Sequence, residues 1–288
     1  MPKREKNARG IAAAAFIMPS LLGIVVFLVI PFIEVIRRSF MNNQASQVVG
    51  FDNYTSVLSN GAFQIALGNT LKFVVVCVPL LVVSSFVLAL LLKEKAPFKN
   101  IFKTGLLLPL AIPITAVAIL WGLLFDPAGL INGFLSHFGL APVKWMDTGA
   151  AFWVLVGCYI WKNLGYCVIL WLAALSTVPR HLYEAAKMDG ANRIQTIFRI
   201  TLPSVMPSFF VVFVIALINS FKVYREAYLV AGNYPHESIY LLQHLFNNWF
   251  MSMSLGKLAA GGILLFVVIL ALTFSLYRLW GLKDEVSR

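Results

Sequence analysis

The amino-acid sequence predicts an all-α integral membrane protein with six transmembrane helices, and three observations predict it. Hydrophobic residues make up 60% of the 288-residue chain and charged residues only 12%, with a mean hydropathy of +0.83. A soluble domain carries roughly 25% charge. Six apolar runs are each long enough to cross a hydrocarbon core, which takes about 20 residues. The basic residues lie mostly between these runs, so the net charge of +11 reads as membrane topology and not as a nucleic-acid surface.

The N-terminal segment MPKREKNARG is basic and precedes the first run, residues 11–33. That run exceeds the apolar core of a signal peptide, about 7–15 residues, and no small-x-small cleavage site follows it. It is therefore expected to stay as the first span. Five more follow at 66–92, 102–125, 152–175, 204–230 and 258–280. The expected organisation is a cytoplasmic segment 1–10, one transmembrane domain 11–280 and a cytoplasmic tail 281–288.

Orientation follows from Lys and Arg. With the N-terminus inside, the cytoplasmic segments collect fifteen: Lys3, Arg4, Lys6, Arg9, Lys93, Lys95, Lys99, Lys103, Arg180, Lys187, Arg193, Arg199, Arg278, Lys283 and Arg288. Outside lie five: Arg37, Arg38, Lys72, Lys144 and Lys257. The bias predicts N-in, C-in topology, with Arg37 and Arg38 running against it.

The outer segments carry helix signals of their own. Asp52 is placed to cap a short helix in GFDNYTSVL. Leu130, Phe134 and Phe138 recur every four residues, as in a helix at the membrane surface, and Ile239, Leu242, Phe246 and Trp249 recur similarly. In the third span Ala111, Thr115, Ala118 and Gly122 make a stripe of small residues that permits close helix approach. Pro109 and Pro113 predict a kink there. Cys77, Cys158 and Cys167 fall inside apolar runs and read as small hydrophobes.

Between the fourth and fifth spans lies a long polar insert, residues 175–207. It reads as two short amphipathic helices with no core of their own. Ser176 or Thr177 is expected to cap the first, Pro179 to sit in its first turn and Gly190 to end it in the left-handed conformation. Asn192 is expected to cap the second, which carries Ile194, Ile197 and Phe198 on one face until Pro203 and Pro207 interrupt it. Such helices need a docking partner.

No nucleophile, metal or carboxylate constellation stands out, His137, His181, His236 and His244 are scattered outside the spans, and no phosphate loop GxxxxGK[ST] occurs. If ATP drives this protein, another chain must bind it. Polar groups inside spans cost free energy unless paired or wetted, which makes them candidates for a substrate path. These are Trp161, Asn163 and Tyr166 with Lys162 in the fourth span, and Asn219, Ser220, Lys222 and Tyr224 with Arg225 and Glu226 in the fifth. Lys222 and Glu226 are spaced to pair. Aromatic rings beside amides and hydroxyls suit a sugar. The structural alternative is that these cations snorkel or pair.

Glu184-Ala185-Ala186, Gly190 and Ile200-Thr201-Leu202-Pro203 complete a specific pattern, E-A-A-x3-G-x9-I-x-L-P. It resembles the cytoplasmic EAA loop of bacterial binding-protein-dependent ABC importer permeases. GFDNY, LGNTL, FDPAGLIN, WKNLGYCVILWLAALSTVPRHLYEAAKMDGA and NSFKVY extend the resemblance over nearly the whole chain to the sugar-permease branch. One departure is Ala231-Gly232-Asn233-Tyr234-Pro235, where that branch often has Gly-Gly-Gly-Pro. The resemblance implies a MetI-like permease bundle in the bacterial cytoplasmic membrane, with a coupling loop at 176–203 between helices 4 and 5. It implies that Glu184, Ala185, Ala186, Asp189, Gly190, Ala191, Ile200, Leu202 and Pro203 engage an ATPase. It further implies two ATPase subunits that bind ATP and magnesium while this chain binds no cofactor or metal. A second, related permease forming a heterodimer and an extracellular solute-binding protein complete the implied assembly. The expected function is non-catalytic: translocation of a carbohydrate by alternating access. Glycerol 3-phosphate or another small polar solute is the neighbouring alternative, because cations suit a phosphate, and an ATP-independent secondary transporter is the alternative from another class.

Overall fold

The computed structural model describes residues 16–93 and 99–279. Lys3, Arg4, Lys6, Arg9, the beginning of the first span, Lys95, Lys283 and Arg288 lie outside the described residues. Those described are helical or irregular, with one isolated bridge between Met41 and Val48. The helices are α1 (Phe16–Ser39), α2 (Asp52–Leu58), α3 (Gly61–Lys93), α4 (Lys99–Ala111), α5 (Ile114–Phe125) and α6 (Leu130–His137). There follow α7 (Ala150–Thr177), α8 (Arg180–Met188), α9 (Arg193–Thr196), α10 (Leu202–Ser204), α11 (Met206–Lys222), α12 (Tyr224–Ala231), α13 (Leu242–Met251) and α14 (Leu255–Leu279). Six stretches are long and apolar enough to cross a membrane: Phe16–Ser39, Gly61–Lys93, Ile114–His137, Ala150–Thr177, Met206–Ala231 and Leu255–Ser275.

The expected third span, residues 102–125, is broken ahead of the stretch that begins at Ile114, and the fifth is broken within its length. Pro113 stands at the head of α5 with φ −57° and ψ 142°; it lacks the N–H that would continue α4 and pushes the preceding residue out of the helical region. Pro109 is tolerated within α4. The expected kink is thus a complete interruption, and Ala111 stands on the far side of it from Thr115, Ala118 and Gly122. In the fifth span α11 gives way to α12 at Val223.

Two compact units divide the described residues, one comprising those up to Asn60 with Asn248–Val268, the other Gly61–Asn247 with those from Ile269. In the first, Asn53 donates to the carbonyls of Ser39 (2.9 Å) and Met41 (2.8 Å), and the Tyr54 hydroxyl meets Ser39 Oγ at 2.7 Å. A Cβ on Gly256 would come within 2.8 Å of both Asn53 Nδ2 and the Met41 carbonyl, so glycine is needed at that crossing. Asp52 is the first residue of α2 and makes no cap; the N-cap is Phe51. Arg37 and Arg38 both pair with Glu34, at 2.7 and 3.0 Å.

The second unit is built on α3, α7 and α11. Phe73, Val78 and Leu81 of α3 pack on Phe152, Tyr159 and Trp171 of α7 and on Val212 and Ala216 of α11, all buried. In lipid, helix association rests on packing and interhelical hydrogen bonds, since the surroundings are as apolar as the contact. Such bonds are present: Trp171 Nε1 donates to Ser85 Oγ (3.1 Å) and the Tyr159 hydroxyl to the Ala216 carbonyl (2.7 Å). A tight approach lies outside the predicted small-residue stripe. Gly165 of α7 abuts α4, and a Cβ there would overlap the Leu106 carbonyl and stand 3.1 Å from Leu107 N.

The two short segments with four-residue apolar spacing divide in behaviour. Leu130, Phe134 and Phe138 stay exposed, whereas Ile239, Leu242 and Trp249 are buried. The latter segment is tied to α3 by the LGNTL motif: Asn69 donates to the carbonyls of Glu237 (2.6 Å) and Tyr240 (3.1 Å), and Thr70 Oγ1 accepts from Leu242 N (3.0 Å). In FDPAGLIN, buried Asn132 donates to the carbonyls of Asp126, Pro127 and Val143 and accepts from Val143 N and Trp145 Nε1.

Candidate functional site

Two groups of residues carry the candidate chemistry. The first is the insert between α7 and α11. Contrary to the expectation from sequence, Ser176 and Thr177 do not cap α8; they remain in the last turn of α7 and donate back to the Ala173 and Ala174 carbonyls at 2.6 and 2.8 Å. Pro179 itself occupies the N-cap of α8 and has no side-chain acceptor to offer. The C-terminus follows the expectation. Gly190 has φ +75°, and the bonds Gly190 N to Lys187 O (3.2 Å) and Ala191 N to Ala186 O (2.9 Å) form the paired closure that a left-handed glycine permits. Asn192 then caps α9 in a reciprocal box with Gln195, at 2.8 and 2.9 Å.

Pro203 does not interrupt the second helix. Its missing N–H and its ring, which would crowd the carbonyl four residues back, are accommodated by a π-helical turn at Ile197–Thr201 that leads into α10. The break comes at Val205, and Pro207 sits harmlessly in the first turn of α11. Glu184, Ala185 and Asp189 are exposed, Ala186 is buried, and Ala191, Ile200 and Leu202 are half-buried. Among the described residues Glu184 makes no ion pair with Arg180 or Lys187. The insert also exposes large apolar side chains: Met188 is 87%, Ile194 68% and Phe198 65% exposed.

The insert is held at its base by Tyr183, which sequence reasoning did not single out. Its hydroxyl accepts from Lys93 Nζ at the end of α3 (3.0 Å) and meets Thr201 Oγ1 at 3.2 Å. The Lys93 ammonium also lies 4.3 Å from the Tyr183 ring centroid. One side chain therefore joins α3, α8 and the π turn.

The second group lies between α7, α11 and α12. Of the predicted path residues, Asn163, Asn219 and Lys222 line one cavity of about 140 Å3, together with Tyr159, Lys162 and Glu226. Tyr166 touches this group through its hydroxyl, which accepts from Asn219 Nδ2 at 2.8 Å. Trp161, Ser220 and Tyr224 are turned to other neighbours: Trp161 packs edge-on to Trp121, Ser220 donates to the Leu217 carbonyl at 2.6 Å, and the Tyr224 ring meets His244 at 4.7 Å. The expected Lys222–Glu226 pair does not form. The change of helix at Val223 leaves Lys222 exposed while Glu226 is buried, and Glu226 pairs with Lys162 instead.

Glu226 Oε2 and Trp121 Nε1 are buried without a hydrogen-bond partner, and both residues line one small cavity beside Cys158 and Met146. His244 was also missed. It is 1% exposed, its Nδ1 accepts from Leu241 N at 3.2 Å, and burial pulls its pKa down to about 4. A histidine outside every apolar run gives no sequence signal of burial.

Comparison with known proteins places these features in context. Residues 82–281 match the family described as binding-protein-dependent transport system inner membrane component. The arabinooligosaccharides transport system permease protein AraP of Bacillus subtilis (strain 168) is 33% identical, over 92% of this chain and 87% of its own. The sn-glycerol-3-phosphate transport system permease protein UgpA of Escherichia coli is 30% identical over 91% of each chain. A solved bacterial alginate ABC transporter, in complex with an alginate pentasaccharide-bound periplasmic protein, superposes with a TM-score of 0.82 at 26% identity, covering 94% of both chains.

Proposed function

The chain belongs to the binding-protein-dependent transport system inner membrane component family, and from that premise we propose that it is the permease subunit of an ATP-driven ABC importer that carries a carbohydrate across the bacterial inner membrane. It is a non-catalytic, multi-pass membrane subunit, and hydrolysis belongs to ATPase partners. The observation that carries the coupling role is the insert at 176–203. Two short helices turn on Gly190, leave Glu184 and Ala185 exposed, and are tied back to α3 through Tyr183 and Lys93. Glu184, Ala185, Ala186, Asp189, Gly190, Ala191, Ile200, Leu202 and Pro203 make the ATPase-facing unit in this reading. An exposed carboxylate suits a basic partner, and small residues let a surface come close.

The insert is read as cytoplasmic, with both termini on the same side. The basic residues support this orientation, with Arg37 and Arg38 running against it. The assembly then has two ATPase subunits, a second related permease as heterodimer partner and an extracellular solute-binding protein. ATP and magnesium belong to the ATPase subunits, and no cofactor belongs to this chain.

The cavity at Asn163, Asn219, Lys222, Lys162 and Glu226, with Tyr166 behind it, is this chain's contribution to the solute path; Trp161, Ser220 and Tyr224 flank it. At about 140 Å3 it is smaller than the roughly 300–1,000 Å3 of a ligand pocket, which supports a path completed by the second permease. A carbohydrate is favoured over glycerol 3-phosphate because Glu226 neutralises Lys162, leaving one cation fewer for a phosphate. Uptake by proteoliposomes holding this chain, its ATPase and its companion permease tests the reading. Carbohydrate accumulation should require ATP and the solute-binding protein. Transport by this chain alone, without an ATPase, would refute it.

A further inference from the structure

We propose that the cavity walled by Lys93, Lys103 and Arg180 is a phosphate-binding site set at the depth where two spans end. The cavity measures about 390 Å3; Ser176 and Tyr183 add hydroxyls to the three cations, and Leu172 is part of an apolar wall. The cations come from three separate elements: the last residue of α3, the first turns of α4 and the first residue of α8. Among the described residues none of the three has a carboxylate partner, and none of the described residues that line the cavity is acidic. Like charges gathered around one concavity repel each other. A bound anion turns that arrangement from a cost into a gain.

The class of anion follows from depth and chemistry. Lys93 closes α3 and Ser176 stands one residue from the end of α7, and both helices are long and apolar enough to span. Ile101 and Phe102, next to Lys103, are 69% and 58% exposed. Charged and apolar surface thus meet at one level, which is where the phosphate of a lipid lies. A phosphate offers several acceptors to an Arg fork and to Lys ammonium groups, and basic pockets between membrane helices take anionic headgroups. Free inorganic phosphate shares the chemistry. Because Lys93 also holds Tyr183, an anion here would sit against the base of the insert. The inference stands apart from the importer reading, since it needs neither an ATPase nor a transported solute.

The test uses the purified full-length chain in detergent, with lipid adducts counted by native mass spectrometry. Phosphatidylglycerol and phosphatidylcholine are added separately, and inorganic phosphate is titrated in another arm by phosphorus-31 resonance. Wild type is compared with the double variant Lys103→Gln/Arg180→Gln and with the charge-matched control Lys144→Gln/Lys257→Gln, each checked for unchanged helicity and monodispersity. Each cation removed should weaken binding about fivefold, so the double variant loses most retained phosphatidylglycerol while the control keeps it. If only inorganic phosphate binds, and does so with the same sensitivity, the site stands and its occupant is soluble. Equal retention of both lipids by wild type and double variant, with no variant-sensitive phosphate binding, overturns the proposal. So does insensitivity to both probes accompanied by loss of ATPase co-purification in the double variant, because the cations would then serve an acidic protein partner.

Discussion

Lys162 and Glu226 form an ion pair across 64 residues of chain, joining α7 to α12. The Glu226 side chain is only 8% exposed and that of Lys162 22%, so the pair is largely withdrawn from water. Removing one partner from such a pair is expected to cost about 3–5 kcal/mol, because the survivor stays buried and unpaired, while replacing both by apolar residues is often close to neutral. Lys162→Met and Glu226→Met should therefore each lower the thermal midpoint of the solubilised protein, and Lys162→Met/Glu226→Met should restore most of the loss. A double-mutant cycle measures the coupling directly. Additive losses would mean that the two side chains act independently.

Gly190 makes a sharper prediction about coupling. Its φ of +75° is the left-handed region, where a side chain costs roughly 1–2 kcal/mol, except that Asn is tolerated better. A Cβ there would meet nothing within 4 Å, so the penalty is conformational and not steric. Gly190→Val should leave membrane insertion intact yet lower solute-stimulated ATP hydrolysis in the reconstituted complex, and Gly190→Asn should recover part of it. The check is the ratio of stimulated to basal ATPase activity. Equal ratios in the valine and asparagine variants would show that the turn is not what transmits motion.

At Gly165 the constraint is steric. A methyl group would overlap the Leu106 carbonyl, so Gly165→Ala must push α4 away from α7. Overpacking of this kind typically costs about 1–3 kcal/mol. The thermal midpoint should fall for Gly165→Ala and further for Gly165→Val. The nearby Gly157→Ala serves as a control, because a Cβ there would stand at an ordinary 3.7 Å from Trp121.

What the sequence revealed and what it hid divide along chain distance. The spans were legible as long apolar runs, and the turn of the insert was legible because Gly190 and Asn192 act within a few residues of one another. The Lys222–Glu226 spacing misled because it assumed an unbroken helix, and the change at Val223 has no strong local signal. The small-residue stripe in the third span was present as composition, but the tight contact lies at Gly165, whose partner is some sixty residues earlier in the chain. Asn69 and Thr70 were noticed only as part of a motif; their reason is the segment 237–242 that they hold. Tyr183, His244 and Trp121 depend wholly on what tertiary packing brings beside them.

His244 predicts a pH dependence with a definite sign. Burial holds its pKa near 4, below the ordinary value of 6.5, and its Nδ1 accepts a backbone hydrogen bond that the protonated ring could not accept. The unfolded chain therefore binds this proton more readily than the folded one. Stability from His244 is complete above pH 6.5, falls as the pH drops from 6.5 toward 4 and levels off below. The full loss amounts to about 3 kcal/mol. His244→Asn retains an acceptor for Leu241 N but cannot titrate. Thermal midpoints measured from pH 7.5 to 4.5 should fall more steeply for wild type than for His244→Asn, with the two curves separating below about pH 6.5. Parallel curves would mean that the acid sensitivity arises from other groups.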